Sequence, residues 1–140
     1  MSKTIVQKIV FKKTGAKELY DLYMNAKKHS VATAAPAKIT TKIGSAFSTH
    51  GGYITGENTY LIKDKLIVQT WRTQEWDKND PDSTFIIDLE PKGNDTLLHM
   101  IHIGLPDKHA ESIDKGWHKH YWEPWKKYLA GKPIDKHPTM

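Results

Sequence analysis

The sequence is short of several chemical groups, and each shortage excludes a class of function. It has no cysteine, so disulfides, thiol nucleophiles and sulfur-ligated metal sites are excluded. Arg72 is the only arginine among 21 basic residues, whereas proteins that read nucleic acids depend on the bidentate hydrogen bonds of arginine. No apolar stretch approaches the about 18 residues that span a membrane, and the N-terminus does not resemble a signal sequence. We therefore expect a cytoplasmic protein that binds neither nucleic acid nor membrane.

The charge is distributed unevenly along the chain. Residues 1–50 carry nine lysines against two acidic residues, which gives +7. Residues 51–100 carry five basic against nine acidic residues, which gives −4, and the whole chain has a formal net charge of +5. A surface with this asymmetry can attract an acidic partner to its N-terminal part. The alternative is that the lysines form a solvated coat without a partner.

Hydrophobic periodicity predicts a single α+β domain over residues 1–140. A strand at 4–11 alternates its apolar residues, as a strand with a buried face does. After it, Leu19, Leu22 and Tyr23 recur at three- and four-residue spacing, which predicts one or two short amphipathic helices.

A period of two then continues through residues 37–103. It predicts five or six strands, the first of them at 37–43, and their short turns require antiparallel pairing. A long C-terminal helix follows from Asp107, and Pro124 should kink it or divide it in two. The element order is therefore a strand, a short helical segment, a meander of strands and a long helix.

The C-terminal helix is the element that covers the apolar face of the sheet. It presents Trp117 and Tyr121, with Trp125 or Trp122, at helical spacing, and a helix cannot fill a concave sheet completely. We therefore predict a cavity between the two. The residues predicted to line it and to bind a ligand are Phe47, Trp71, Phe85, Met100, His102, Trp117 and Tyr121.

A search for catalytic or metal-binding motifs finds none. His118 and His120 are two positions apart on a helix, and His99 and His102 are three apart on a strand, so neither pair projects in one direction. No nucleophile elbow and no glycine-rich phosphate loop is present. We predict no catalytic residue, no metal and no cofactor, and we expect a protein that is not an enzyme.

His102 is the one titratable residue that strand parity places among apolar neighbours, Leu98 and Met100. It would orient a ligand or act as an acid or base, or it is a core histidine whose nitrogens are satisfied by nearby groups. Two further aromatic residues, Trp76 and Trp122, would suit a protein interface if they were exposed.

Several segments carry a resemblance to a known family. They are Gly51–Glu57 (GGYITGE), Ile67–Arg72 (IVQTWR), Trp76, Gly104–Pro106, and Gly116–Trp117 followed by Tyr121. Over nearly its whole length the chain resembles the C-terminal domain of the activators of the 90-kDa heat-shock-protein ATPase and their bacterial homologues. The resemblance implies the START-like (SRPBCC) helix-grip fold, with a curved antiparallel sheet of about six strands wrapped on a long C-terminal helix.

The superfamily includes lipid carriers, hormone receptors, cyclases and co-chaperones, so the fold leaves three hypotheses open. The first is a module that binds a small hydrophobic ligand. The second is a co-chaperone that binds a 90-kDa heat-shock chaperone, without full ATPase activation because the activators' separate N-terminal domain is not part of this chain. The third is a cyclase or hydrolase in which His102 and another polar residue, for example Glu57, converge on one point of the cavity. In each case we expect a monomer or a weak homodimer.

Overall fold

The computed structural model describes residues 2–131, so Met1 and residues 132–140 of the predicted domain lie outside the described residues. Within these residues, six strands form one antiparallel sheet in the order β1-β6-β5-β4-β3-β2. Their bounds are β1 Ser2–Phe11, β2 Ala46–Thr49, β3 Ile54–Ile62, β4 Leu66–Thr73, β5 Ser83–Lys92 and β6 Asp95–Pro106. Strands β2 to β6 form a meander, and β1 pairs with β6, so the first strand lies at the edge opposite β2. The predicted α+β helix-grip fold is confirmed.

The described part of the chain contains four α-helices on one side of this sheet. They are α1 Ala16–Met24, α2 Ala26–Thr33, α3 Asp107–Trp117 and α4 Glu123–Leu129. Helix α2 packs against the other helices rather than against a strand. Leu19, Leu22 and Tyr23 are buried on α1, as their spacing predicts. None of the helices in residues 2–131 is long and apolar enough to cross a membrane.

The alternation of each strand decides which side chains face the helices. Strand β4 buries every second residue, among them Trp71, and β5 does so from Ser83 to Leu89, including Phe85. Strand β1 also alternates, and Gln7 is buried on its inner side. The Gln7 amide donates to Asp114 Oδ1 (2.6 Å) and its carbonyl accepts from Trp122 Nε1 (2.6 Å). This one side chain therefore fixes the edge strand to the C-terminal helix.

The prediction of a strand at 37–43 is wrong. Only an isolated antiparallel bridge between Lys38 and Ser48 forms there. The backbone of this segment is hydrogen-bonded to the buried Asn58 instead. The side-chain amide of Asn58 donates to Thr40 O (2.7 Å) and to Lys42 O (3.0 Å). Carbonyls that a buried side chain has satisfied are not available for a strand ladder.

The C-terminal helix neither ends nor separates at Pro124. A π-helical turn, His118–Trp122, joins α3 directly to α4, and Pro124 occupies the first turn of α4. The Glu123 N–H bonds to His118 O, five residues earlier. Proline lacks an N–H and its ring crowds the preceding turn of an α-helix, and the wider π-helical turn accommodates it without ending the helix.

The π-helical turn also explains why Trp122 is not an exposed interface residue. In a regular α-helix, residues five apart point in different directions, whereas five residues make about one π turn. The Trp122 ring accordingly lies 5.5 Å from that of Trp117 with an interplanar angle of 18°, and it is 1% exposed. Trp76 is 5% exposed, because it packs between Trp71 and His109. Neither tryptophan offers a free surface.

Candidate functional site

Aromatic rings fill the centre of the space between sheet and helix. Phe85 on β5 stacks on Trp117 with ring centroids 4.4 Å apart and an interplanar angle of 3°. Trp117 stacks in turn on Trp122. Rings in these arrangements attract each other beyond the effect of burial alone. The middle of the domain is therefore a packed core rather than an open chamber.

A cavity of about 440 Å³ remains at one end of this core. It lies between the β2–β3 and β4–β5 connections on one side and the C-terminal helix on the other. The helix contributes residues at positions 112, 113, 116, 117, 120 and 121, which share one face at three- and four-residue spacing. The complete lining is His50, Tyr53, Ile54, Trp71, Thr73, Glu75, Ser112, Ile113, Gly116, Trp117, His120 and Tyr121.

The predicted site residues divide into two groups in the structure. Trp71, Trp117 and Tyr121 line the cavity. The other four are buried but are absent from its lining; they are Phe47, Phe85, Met100 and His102. The structure therefore brings three of the seven residues to one cavity and places the others in the surrounding core.

Several lining residues were not anticipated from the sequence. Gly116 and His120 follow from the helical spacing that already pointed to Trp117, so periodicity contained the signal for them. His50 and Glu75 lie in connections between strands, where no periodic pattern exists. His50 has a positive φ of 53°, a conformation that few non-glycine residues adopt.

His102 is held neutral beneath the cavity. Its Nδ1 accepts from Trp117 Nε1 (3.2 Å) and its Nε2 lies 2.8 Å from Ser83 Oγ. Ser83 Oγ donates to Trp71 O, so it must accept the Nε2–H of His102. Burial lowers the pKa of His102 to about 3. This imidazole is a satisfied core group, as the second interpretation of it predicted.

A second buried histidine supports the cavity wall through Tyr121. His29 Nδ1 donates to Tyr23 O (2.7 Å), and His29 Nε2 accepts from the Tyr121 hydroxyl (3.0 Å). Burial lowers the pKa of His29 to about 4 and raises that of Tyr121. The Tyr23 hydroxyl continues the network to Gln69 Oε1 (2.8 Å). Sequence reasoning missed His29, since a histidine on a polar helix segment carries no sign of burial.

The cavity combines apolar walls with a few polar groups. Ile54, Ile113 and the rings of Trp71 and Trp117 form the apolar part, whereas Glu75 is the one acidic residue in the lining. Glu75 Oε2 lies 3.9 Å from His109 Nδ1. The buried Nε1 of Trp71 has no hydrogen-bond partner among residues 2–131.

His102 and Glu57 do not converge on the cavity. Glu57 is exposed on β3, and His102 is buried in β6 with both ring nitrogens engaged. Neither residue lines the cavity. Within residues 2–131, no three histidine, aspartate or glutamate side chains are grouped as metal ligands.

Comparison with known proteins identifies the relatives of this chain. Residues 13–130 match the family described as "Activator of Hsp90 ATPase homolog 1-like protein". The "Activator of 90 kDa heat shock protein ATPase homolog" of Dictyostelium discoideum is 31% identical over 103 residues, which make up 71% of this chain and 26% of that protein. The chain thus spans about a quarter of that relative's length.

Two solved structures share the fold. The crystal structure of an HSP90 activator from Plasmodium falciparum has a TM-score of 0.79 and 25% identity, and the match covers 95% of this chain and 98% of that chain. The solution structure of the Aha1 dimer from Colwellia psychrerythraea has a TM-score of 0.76 and 16% identity, with coverage of 93% and 98%. The second likeness concerns the fold alone.

Proposed function

This chain belongs to the family of activator of Hsp90 ATPase homolog 1-like proteins, and from this premise we propose that it binds a small, largely apolar ligand in the cavity beside the C-terminal helix. The cavity itself carries the proposal. Its volume of about 440 Å³ falls within the roughly 300–1,000 Å³ of ligand pockets. It also far exceeds the about 15 Å³ that a single water needs.

Gly116 supports the proposal because a helix glycine lowers stability by about 1 kcal/mol relative to alanine. It lies inside α3 and lines the cavity. A Cβ built on it would meet only His120 Cδ2, at 3.7 Å. The backbone there would accept a side chain, so what the glycine preserves is open space in the cavity.

We therefore expect Gly116→Leu to close the cavity while the protein stays folded. The neutral probe N-phenyl-1-naphthylamine, whose emission rises in apolar surroundings, should bind the unaltered protein and lose at least about 10-fold in affinity for the variant. The free energy of unfolding in urea should stay equal or rise, since the glycine is removed from a helix.

Lys115→Leu is the matched control, because it adds the same side chain at an exposed neighbouring position that does not line the cavity. It should leave probe binding unchanged. Equal binding to the unaltered protein and to Gly116→Leu would show that the probe binds elsewhere, and the proposal would then be wrong.

The second candidate function is binding to a 90-kDa heat-shock chaperone. It is favoured by the Plasmodium HSP90 activator, of which this chain covers 98%. The excess of lysines in residues 1–50 supports an acidic surface on the partner. Lys27 and Lys28 are exposed on α2, and they are a suitable pair with which to test this attraction.

We expect calorimetric titration of the purified chaperone to show binding that weakens several-fold between 50 and 300 mM salt. Lys27→Glu/Lys28→Glu should weaken binding by about 10-fold or more, because it reverses two charges on the attracting surface. Lys78→Glu/Lys92→Glu changes the net charge equally in the acidic part of the chain and should have little effect. Absence of heat and of complex at low salt would exclude this function.

A further inference from the structure

The outer face of the sheet, on the side away from the helices, is apolar where the exposed face of an antiparallel sheet is commonly polar. Directly paired residues form one continuous row across five strands. From β1 to β3 the members of this row, here called the apolar row, are Val6, Ile101, Ile86, Val68 and Tyr60. Val6 is 58% and Tyr60 52% exposed, and the three residues between them are half-buried. A continuous row of this kind marks an interaction surface, unlike apolar residues scattered singly.

More apolar side chains extend the apolar row along the strands. They lie two or four positions from its members and are exposed or half-buried: Val10, Ile62, Leu66, Leu97 and Ile103. With strands about 4.8 Å apart and about 3.3 Å per residue, the whole patch measures roughly 20 Å by 25 Å. Two such patches in contact bury about 1,000 Å² in total, which is about the least that a specific interface needs.

The acidic side chains within the patch are paired with lysines of the same chain. Asp88 Oδ1 lies 2.8 Å from Lys65 Nζ, and Glu90 Oε1 lies 3.3 Å from Lys92 Nζ. These ion pairs offset the negative charge, so the patch does not require a strongly charged partner. A broad apolar sheet face instead fits another sheet, because sheets pack face to face through their side chains. A second copy of this chain supplies such a face.

The arrangement of the patch is compatible with two-fold symmetry. Ile86 lies on β5, at the centre of the apolar row, so a two-fold axis through it places the row on itself. An axis parallel to the strands would set Asp88 against Asp88 of the second copy. An axis along the row sets Asp88 against Thr84 of the second copy and His99 against Ile103 of the second copy, since these residues lie two positions from the row on opposite sides. The second axis avoids the facing acids.

From these observations we propose that the outer face of the sheet is a homodimer interface, in which two sheets pack face to face about a two-fold axis along the apolar row. The dimer is weak because its interface is small. The cavity of each copy stays accessible, since it lies between the sheet and the C-terminal helix on the opposite side. The interface is therefore independent of the ligand proposed above.

Sedimentation velocity tests the interface. The unaltered protein should pass from monomer toward dimer between about 10 and 500 µM, as expected for an interface of this size. Ile86→Lys sets two like charges against each other on the axis and should weaken the dimer by at least about 10-fold. Val31→Lys makes the same change of charge at a residue of α2 that is 51% exposed, and it should dimerise like the unaltered protein.

Chemical cross-linking tests the direction of the axis. The chain has no cysteine, so an introduced thiol reports on one position. Packed sheets lie about 10 Å apart, which is too far for a disulfide, so bismaleimidoethane joins the thiols. A mixture of Thr84→Cys and Asp88→Cys proteins should give mainly the mixed pair, identified by its mass. Val31→Cys should give no more cross-linking than chance encounter produces.

The outcomes decide both parts of the proposal. A monomer at every concentration, or equal dimerisation by Ile86→Lys and the unaltered protein, would overturn the interface. Asp88→Cys joined mainly to itself would overturn the direction of the axis. Urea denaturation checks that Ile86→Lys is folded; if it is not, Val6→Lys replaces it, because Val6 is the more exposed and also faces its own counterpart across the axis.

Discussion

Replacing Gly56 by alanine is expected to lower the free energy of unfolding of the domain by about 4 kcal/mol or more. A Cβ at this position would overlap the carbonyl oxygen of Thr70 on β4 and come within 2.7 Å of Phe47 Cε1. The first contact is with backbone and the second with a ring that is 3% exposed. Neither can move without separating β3 from β4 or disturbing the core.

Urea denaturation would measure this effect, with Gly93→Ala as the control. Gly93 has a positive φ of 63°, and a Cβ at this position would meet nothing within 4 Å, so alanine there should cost only about 1 kcal/mol. Similar losses for the two variants would mean that the close approach to Thr70 does not require glycine. The test also bears on the resemblance, because Gly56 lies in the segment Gly51–Glu57 that carries it.

The second large effect is a loss of stability in mild acid. The folded protein keeps His29 and His102 neutral, with pKa values of about 4 and about 3, whereas the ordinary histidine pKa is about 6.5. Between these values the unfolded chain binds protons that the folded protein does not, so lowering the pH favours unfolding. The stability that the two neutral histidines contribute is fully present above pH 6.5. It is lost as the pH falls from 6.5 toward 4 for His29 and toward 3 for His102.

Between pH 8 and pH 5 each histidine should remove about 2 kcal/mol, and the two together about 4 kcal/mol, from the free energy of unfolding. Urea denaturation at several pH values would show the slope. His102→Gln should roughly halve that slope, because one buried titrating group is gone. A stability that stays level down to pH 5 would contradict the neutral, buried state of both histidines.

Strand parity accounts for the part of the fold that the sequence predicted well. Trp71, Phe85, Met100 and His102 were assigned to the inner face by counting in twos, and all four are buried. The count succeeds because alternate residues are buried throughout β4, from Ser83 to Leu89 of β5, and from Thr96 to His102 of β6. The helix residues Trp117 and Tyr121 were found by the same kind of periodicity.

The position of the cavity was beyond sequence reasoning. It depends on how Phe85, Trp117 and Trp122 stack on one another, and ring stacking across distant elements leaves no periodic signature. The residues His50 and Glu75 come from connections whose path follows from tertiary contacts. The segment 37–43 shows the same limit, because its alternating pattern was overridden by hydrogen bonds to the distant Asn58.

The π-helical turn at His118–Trp122 has a consequence for how this helix is compared with others. A π turn accommodates one more residue than an α turn, so it is the structural counterpart of a one-residue insertion. Against a related helix without the turn, an ungapped alignment that is correct at Trp117 would be shifted by one position at Trp125. Evolutionary comparison of the cavity wall should therefore place a gap within these five residues and align each half of the helix separately.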